Sequence, residues 1–138
     1  MVKKLLLFLV LIIPVEIKAY NTYATSSILM DMDSNNVIYG DNIHNVRSVA
    51  SISKIMTAIV AIENADIKSK ITIGDEINKA YGSGIYIKQG EILTIEDLLY
   101  GLMLRSGNDA ALAIAKNVGG RVEKFVEMMN ETAIKIGM

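Results

Sequence analysis

The stretch Ala50-Ser51-Ile52-Ser53-Lys54-Ile55-Met56-Thr57-Ala58-Ile59-Val60-Ala61-Ile62-Glu63 reads as one helix, and it leaves the rest of the chain few choices. At about 100° per residue its apolar side chains cover nearly the whole circumference. Ile52, Ile55, Met56, Ile59, Val60 and Ile62 occupy most directions, and the small Ala58 and Ala61 lie on either side of Lys54 in projection. A helix that is apolar all round is buried, so the pattern predicts a central helix enclosed by other layers. Its first turn nevertheless carries Ser51 and Lys54, three apart and therefore on one face. A lysine in a buried helix needs a partner, a neutral state or a function.

A chain of 138 residues allows one domain or part of one. The formal net charge is -1, and the charges are mixed in sign with no basic stripe, which argues against a nucleic-acid partner. The absence of cysteine excludes disulfides, thiolate nucleophiles and Cys-ligated zinc, but not an extracytoplasmic location. The single histidine, His44, cannot make a multi-histidine metal site. It stands among Asn42, Asn45 and Arg47 as an ordinary surface residue, and no nucleophile-elbow motif recruits it to a Ser-His-Asp arrangement.

The N-terminus has the layout of an export signal: Met1-Val2-Lys3-Lys4, an apolar run from Leu5 to Ile13, then Pro14. The apolar run, extended to Val15, is too short for a comfortable membrane span. Ala19 and Ala24 are the candidate cleavage positions, so residues 1–24 are expected to be a signal and 25–138 the mature chain. Ser27-Ile28-Leu29-Met30-Asp31-Met32 and Val37-Ile38-Tyr39, joined by the turn-forming Asp33-Ser34-Asn35-Asn36, predict a β-hairpin. After the central helix, Ile71-Thr72-Ile73 predicts a short strand ended by Gly74. Tyr81-Gly82-Ser83-Gly84 predicts a flexible loop. Residues 85–88 and 91–93, flanking Gln89-Gly90, predict a second small hairpin. Thr94 followed by Asp97 marks a helix start. Apolar residues at 95, 98, 99, 102 and 103 carry that helix to about Arg105. Ala110 to Val118 predicts another buried helix, ended by Gly119-Gly120. A last amphipathic helix follows, with Val122, Phe125, Val126, Met129, Ala133 and Ile136 on one face.

Two constellations can carry chemistry. A serine hydroxyl is a poor nucleophile unless a nearby base takes its proton, and a lysine whose amine is neutral can be that base. A helix N-terminus also points N–H groups at developing negative charge. Ser51-x-x-Lys54 at the head of a buried helix is therefore a plausible nucleophile–base pair, although the spacing alone is a weak signal. Ser106-Gly107-Asn108 at a helix–helix junction is the second: a hydroxyl able to relay a proton and an amide able to bind a peptide-like substrate. Ser34-Asn35-Asn36 shows the same pattern in a turn, and Ser106 reads equally well as a helix N-cap.

Taken together and in this order, the two motifs match the first two of the three elements S-x-x-K, S-D-N and K-T-G of penicillin-recognising enzymes, with Ser-Gly-Asn as the middle one. The chain resembles the N-terminal part of the D-alanyl-D-alanine carboxypeptidases, the low-molecular-weight penicillin-binding proteins, from about Ser26 to Met138. Ala50 to Ala58 resembles that family's nucleophile helix, and Gly82-Ser83 with Gly90-Glu91 its middle segment. Glu96-Asp97-Leu98-Leu99-Tyr100-Gly101-Leu102-Met103-Leu104-Arg105-Ser106-Gly107-Asn108-Asp109-Ala110-Ala111 is the most specific match. The resemblance implies an α+β fold of the transpeptidase type, of which this chain holds the N-terminal hairpin and the helical part. It implies Ser51 as acylated nucleophile, Lys54 as general base, Ser106 as proton relay to the leaving D-alanine, and Asn108 as the group binding the substrate backbone. It implies a peptidoglycan stem peptide ending in D-Ala-D-Ala as substrate, β-lactams as inhibitors, no metal or organic cofactor, and an exported location. Membrane contact would come through an uncleaved signal or a C-terminal anchor.

The third motif does not occur: no Lys-Thr-Gly or Lys-Ser-Gly is present. In the family that motif lies on a strand that binds the substrate carboxylate and completes the oxyanion hole. The chain is therefore expected to be truncated before that strand, to leave apolar helix surface uncovered, and to have little activity alone. The alternatives are a class A β-lactamase-like acyl-serine enzyme, which needs a glutamate base that no residue of this sequence visibly supplies, and a non-catalytic remnant or cell-wall peptide-binding module.

Overall fold

The computed structural model describes residues 23–138. The expected signal therefore lies almost wholly outside the described residues; Ala24, the later cleavage candidate, is exposed. The chain divides into two units, Met1–Arg47 and Ser48–Met138.

In the first unit the expected hairpin forms. Strand β1 (Ser27–Met30) pairs antiparallel with β2 (Val37–Asp41), with a register shift between Leu29 and Met30. The β1 strand stops two residues earlier than its apolar run because Asp31 turns the chain. Its carboxylate accepts the N–H of Ser34 at 2.8 Å and the Ser34 hydroxyl at 2.6 Å, and its own N–H donates to the Asn36 carbonyl at 2.9 Å. His44 is exposed, as a surface histidine should be.

The second unit is a helical cluster with one small sheet. The stretch from Ala50 splits into a 3₁₀ turn, Ala50–Ile52, and helix α1, Ser53–Asn64. Strand β3 (Lys70–Thr72) pairs antiparallel with β4 (Ile92–Thr94) in the register Lys70↔Thr94, Ile71↔Leu93, Thr72↔Ile92. Helices α2 (Ile95–Arg105), α3 (Asn108–Gly119) and α4 (Val122–Lys135) follow, and α1 packs against all of them.

The helix boundaries have local causes. At the head of α2 a capping box closes: the Thr94 hydroxyl accepts the Asp97 N–H at 3.0 Å, and the Asp97 carboxylate accepts the Thr94 N–H at 2.9 Å. These bonds hold the Asp97 carboxyl below its ordinary range, the Thr94 hydroxyl contributing most. Helix α3 ends at Gly119, and Gly120 takes the left-handed conformation, φ 73°, that a C-terminal glycine adopts without strain. Gly119 is glycine for a different reason. A Cβ there would lie 2.8 Å from the Phe125 nitrogen and 3.0 Å from its Cα, so α3 and α4 touch backbone to backbone.

The core gathers Val60 and Ala61 of α1, Ile73, Leu98 and Leu102 of α2, Ala110, Ala113 and Ile114 of α3, and Phe125 of α4. Full burial of each large side chain contributes roughly 1.5–3 kcal/mol, and the alanines let the helices approach closely. Two expectations need correction. The central helix is not buried all round: α1 buries Thr57, Ala58, Val60 and Ala61, while Ile52, Ile55 and Ile62 stay 66%, 50% and 57% exposed. Its packing partners among the described residues cover one side only. Helix α4 likewise buries Phe125 alone, leaving Val126 exposed, and Ile136 just past its end is exposed too. Apolar helix surface is thus uncovered among the described residues, where each of the two sheets has two strands.

The second correction is the hairpin expected over residues 85–93, which does not form. Residues 85–88 are not a strand, and β4 pairs instead with β3. The ladder continues beyond them, with Ile73 N–H donating to the Glu91 carbonyl at 2.9 Å and Gly90 N–H to the Ile73 carbonyl at 2.8 Å. The N–H groups of Ile85, Tyr86 and Ile87 are committed elsewhere, to the carboxylate of Asp109.

Candidate active site

All four residues singled out from the sequence lie in the second unit, and the fold brings them together as two contacts. The Ser106 hydroxyl donates to the Ser51 hydroxyl at 2.9 Å, across 55 residues of chain. Lys54 Nζ donates to Asn108 Oδ1 at 2.7 Å, across 54. The 3₁₀ turn holds Ser51 just ahead of α1, exposed, while Lys54 sits half-buried in the first turn of α1. The hydrogen bond of the Lys54 ammonium thus goes to Asn108, and that of the Ser51 hydroxyl to Ser106.

Ser106 is not the N-cap of α3. It is the C-cap of α2, with φ 54° and ψ 37°, and Gly107 holds the N-cap position with no side-chain cap bond. Left-handed backbone at a residue with a Cβ costs roughly 1–2 kcal/mol. Ala50, the residue before Ser51, is also left-handed at φ 46°. Both sides of the hydroxyl pair therefore rest on strained backbone held by its surroundings, as functional sites often do.

Asn108 connects more than the sequence suggested. Its side-chain NH₂ donates to the Tyr81 carbonyl, and its backbone N–H donates to the Ser83 carbonyl at 2.8 Å. A carbonyl can only accept and an ammonium can only donate, so the amide has one satisfactory orientation: NH₂ toward Tyr81, oxygen toward Lys54.

Asp109 is the residue that the motif reading passed over. It is 6% exposed, and its carboxylate accepts the N–H of Tyr86 at 2.7 Å, of Ile85 at 3.1 Å, of Ile87 at 3.3 Å and of Ala110 at 2.9 Å. A buried carboxylate is tolerated when hydrogen bonds and a helix N-terminus satisfy it, and Asp109 has both. The sequence did hold a signal: an acid opening an alanine-rich helix that is otherwise apolar on most faces. The loop is shaped to this acceptor. Tyr86 is left-handed at φ 62°, and a Cβ on Gly84 would come within 3.1 Å of Asp109 Oδ2. Beside the hydroxyl pair, Ser83, Tyr86, Arg105 and Ser106 line an open concavity.

The helical cluster that carries this site superposes on solved penicillin-binding proteins. Penicillin-binding protein 5 of Haemophilus influenzae superposes with a TM-score of 0.80 at 28% identity, covering 86% of this chain and 37% of that one. A D-alanyl-D-alanine carboxypeptidase of Mycobacterium tuberculosis H37Rv superposes at 0.79 with 34% identity, covering 86% and 44%. The sequence profile of the D-alanyl-D-alanine carboxypeptidases matches residues 14–138, and the chain belongs to that family. Among curated relatives, DacF of Bacillus subtilis is 35% identical over 121 residues, 83% of this chain and 31% of its own length. DacC of Escherichia coli is 35% identical over 133 residues, 88% of this chain and 33% of its own length. The chain thus spans about a third of the length of the curated relatives it matches. Among the described residues no helix is long and apolar enough to cross a membrane.

Proposed function

We propose that the protein is a serine-type D-alanyl-D-alanine carboxypeptidase acting on peptidoglycan stem peptides, and that these residues supply its nucleophile half. The observation that carries this reading is the 2.9 Å contact between the Ser51 and Ser106 hydroxyls, set beside the Lys54–Asn108 contact in one helical unit. In the proposed reaction Lys54, in its neutral form, takes the Ser51 proton while Ser51 Oγ attacks the carbonyl carbon of the penultimate D-alanine. The bond to the terminal D-alanine nitrogen breaks, and Ser106 passes the proton to that leaving amine. Water then hydrolyses the ester and frees Ser51. Asn108 binds the substrate backbone. β-Lactams acylate the same hydroxyl. The scheme needs no metal or organic cofactor and involves no nucleic acid.

The remaining parts of the reading follow from the sequence: residues 1–24 as an export signal cleaved after Ala19 or Ala24, residues 25–138 as the start of the catalytic domain, and action outside the cytoplasmic membrane, with membrane contact through an uncleaved signal or an anchor elsewhere in the protein. The test is fluorescent penicillin applied to the protein as the cell makes it, with the adduct mapped by mass. A stable adduct on Ser51, absent in Ser51→Ala, and release of D-alanine from a D-Ala-D-Ala peptide are the expected results. Rapid turnover of the β-lactam would point to a β-lactamase-like enzyme. No adduct, with retained binding of muropeptides, would point to a peptide-binding module.

A further inference from the structure

Asn108 and Asp109 are consecutive, yet they grip opposite ends of one loop. Asn108 holds the carbonyls of Tyr81 and Ser83, while Asp109 holds the N–H groups of Ile85, Tyr86 and Ile87. The segment between them makes no strand, so these bonds are what shape it. The far side of Asn108 meets Lys54. From this chain of contacts we infer that Asp109 is a positioning residue: by fixing residues 81–87 it keeps the Tyr81 carbonyl where it commits the Asn108 NH₂, and so keeps the Asn108 oxygen turned toward Lys54. The inference rests on the carboxypeptidase reading for its catalytic consequence, but not for its structural content.

The chemistry makes the role specific to a carboxylate. Both Asp109 oxygens only accept, and each faces backbone donors: Oδ2 takes Tyr86 and Ile87, Oδ1 takes Ala110, and Ile85 lies 3.1 Å from both. Asparagine has the same shape, but in either orientation its NH₂ would face at least one of these N–H groups. Asp109→Asn therefore loses at least one of these bonds and the negative charge that strengthens the others, and so weakens the grip without changing volume. Loop closeness makes relaxation difficult, because Gly82 is left-handed at φ 82° with Asn108 Nδ2 3.4 Å from the position a Cβ would take.

The experiment compares wild type, D109N, N108A, the double variant and Ile114→Val in the protein as the cell makes it. Ile114→Val is a core variant outside the site that lowers thermal stability. Amide exchange at Ile85, Tyr86 and Ile87 and at the Asn108 side-chain NH₂ should accelerate by about 10- to 100-fold in D109N, the scale of losing buried hydrogen bonds. Ser51 acylation by fluorescent penicillin should slow in D109N, and the double variant should be no slower than the slower single variant. Acylation in Ile114→Val should stay at the wild-type rate. Unchanged exchange in D109N overturns the inference. So do additive losses in the double variant, or an Ile114→Val loss equal to that of D109N. If wild type takes no label, the carboxypeptidase reading has failed, and exchange of the Asn108 NH₂ alone decides the positioning: accelerated in D109N upholds it, unchanged overturns it.

Discussion

Lys54 and Asn108, 54 residues apart, meet at 2.7 Å through an ammonium donor and an amide oxygen whose partner nitrogen is already bound to Tyr81. The relationship is directional. The lysine has an acceptor because the loop has taken the amide's donor, so the geometry around Lys54 is set by backbone more than 20 residues away from either motif residue. The neighbouring contact, Ser106 to Ser51, rests on strained backbone at Ser106 and at Ala50. Together they form a site assembled by three separate segments: the turn before α1 with the first turn of α1, the junction of α2 and α3, and the loop at 81–87.

If Lys54 is the base, Lys54→Ala lowers the rate of Ser51 acylation by about 100- to 10,000-fold, the usual worth of a positioned proton acceptor. If Ser106 relays the proton to the leaving amine, Ser106→Ala should slow release of D-alanine more than it slows acylation by a β-lactam, whose leaving nitrogen stays tethered. Stopped-flow labelling with fluorescent penicillin, set against D-alanine release from a peptide, separates the two effects.

The 138 residues contain no Lys-Thr-Gly or Lys-Ser-Gly. An oxyanion-hole donor is worth about 100- to 1000-fold in rate, so the 138-residue chain by itself should take up little fluorescent penicillin. Labelling of Ser51 in that isolated chain at the rate of a complete enzyme would show that these residues suffice.

Phe125 is buried to 1% exposure where α4 meets the core. Phe125→Ala should destabilise the helical unit by about 3–5 kcal/mol, a large part of the stability of a small domain. Gly119→Ala tests the close approach beside it. In an open helix that change gains about 1 kcal/mol, but the new Cβ would overlap the Phe125 backbone, and overpacking costs about 1–3 kcal/mol. The expected sign is destabilising, read as a lower urea midpoint with an unchanged slope.

The capping box gives a pH signature. The folded Asp97 carboxyl titrates below its ordinary value because Thr94 bonds its charged form. A depressed carboxyl stabilises the fold above the unfolded pKa, about 3.9, and that contribution is lost as pH falls through the folded value. Thr94→Ala should therefore lower the melting temperature clearly at neutral pH and progressively less below about pH 4. A gap between wild type and variant that is constant with pH would assign the capping effect to the hydroxyl alone.

The parts of this fold that were legible in the sequence are those with a local cause. The hairpin of β1 and β2 is announced by the turn residues from Asp33 to Asn36, α2 by Thr94 and Asp97, and the end of α3 by paired glycines. The candidate site was legible through its two motifs, because residue type and order carried them. What was not legible depends on distant partners. Residues 85–93 look like a hairpin because alternation predicts a strand without naming its partner, and Asp109, 22–24 residues on, takes the hydrogen bonds. The periodicity of α1 reports that its faces are apolar, not which of them finds cover. Ser106 looked like an N-cap because the residue type suits one, while its left-handed backbone depends on how α2 and α3 meet.

The span of the Ser51–Ser106 contact has a consequence for how the molecule comes into being. A hydrogen bond closing a loop of 55 residues cannot form while the chain is folding locally. The turn ahead of α1 and the end of α2, which carry the two hydroxyls, must come together, and the loop at 81–87 must settle on the head of α3. An unfinished chain has its serine but no arranged neighbour for it, so the hydroxyl pair is a reporter of completed tertiary structure, silent until the last of these segments is in place.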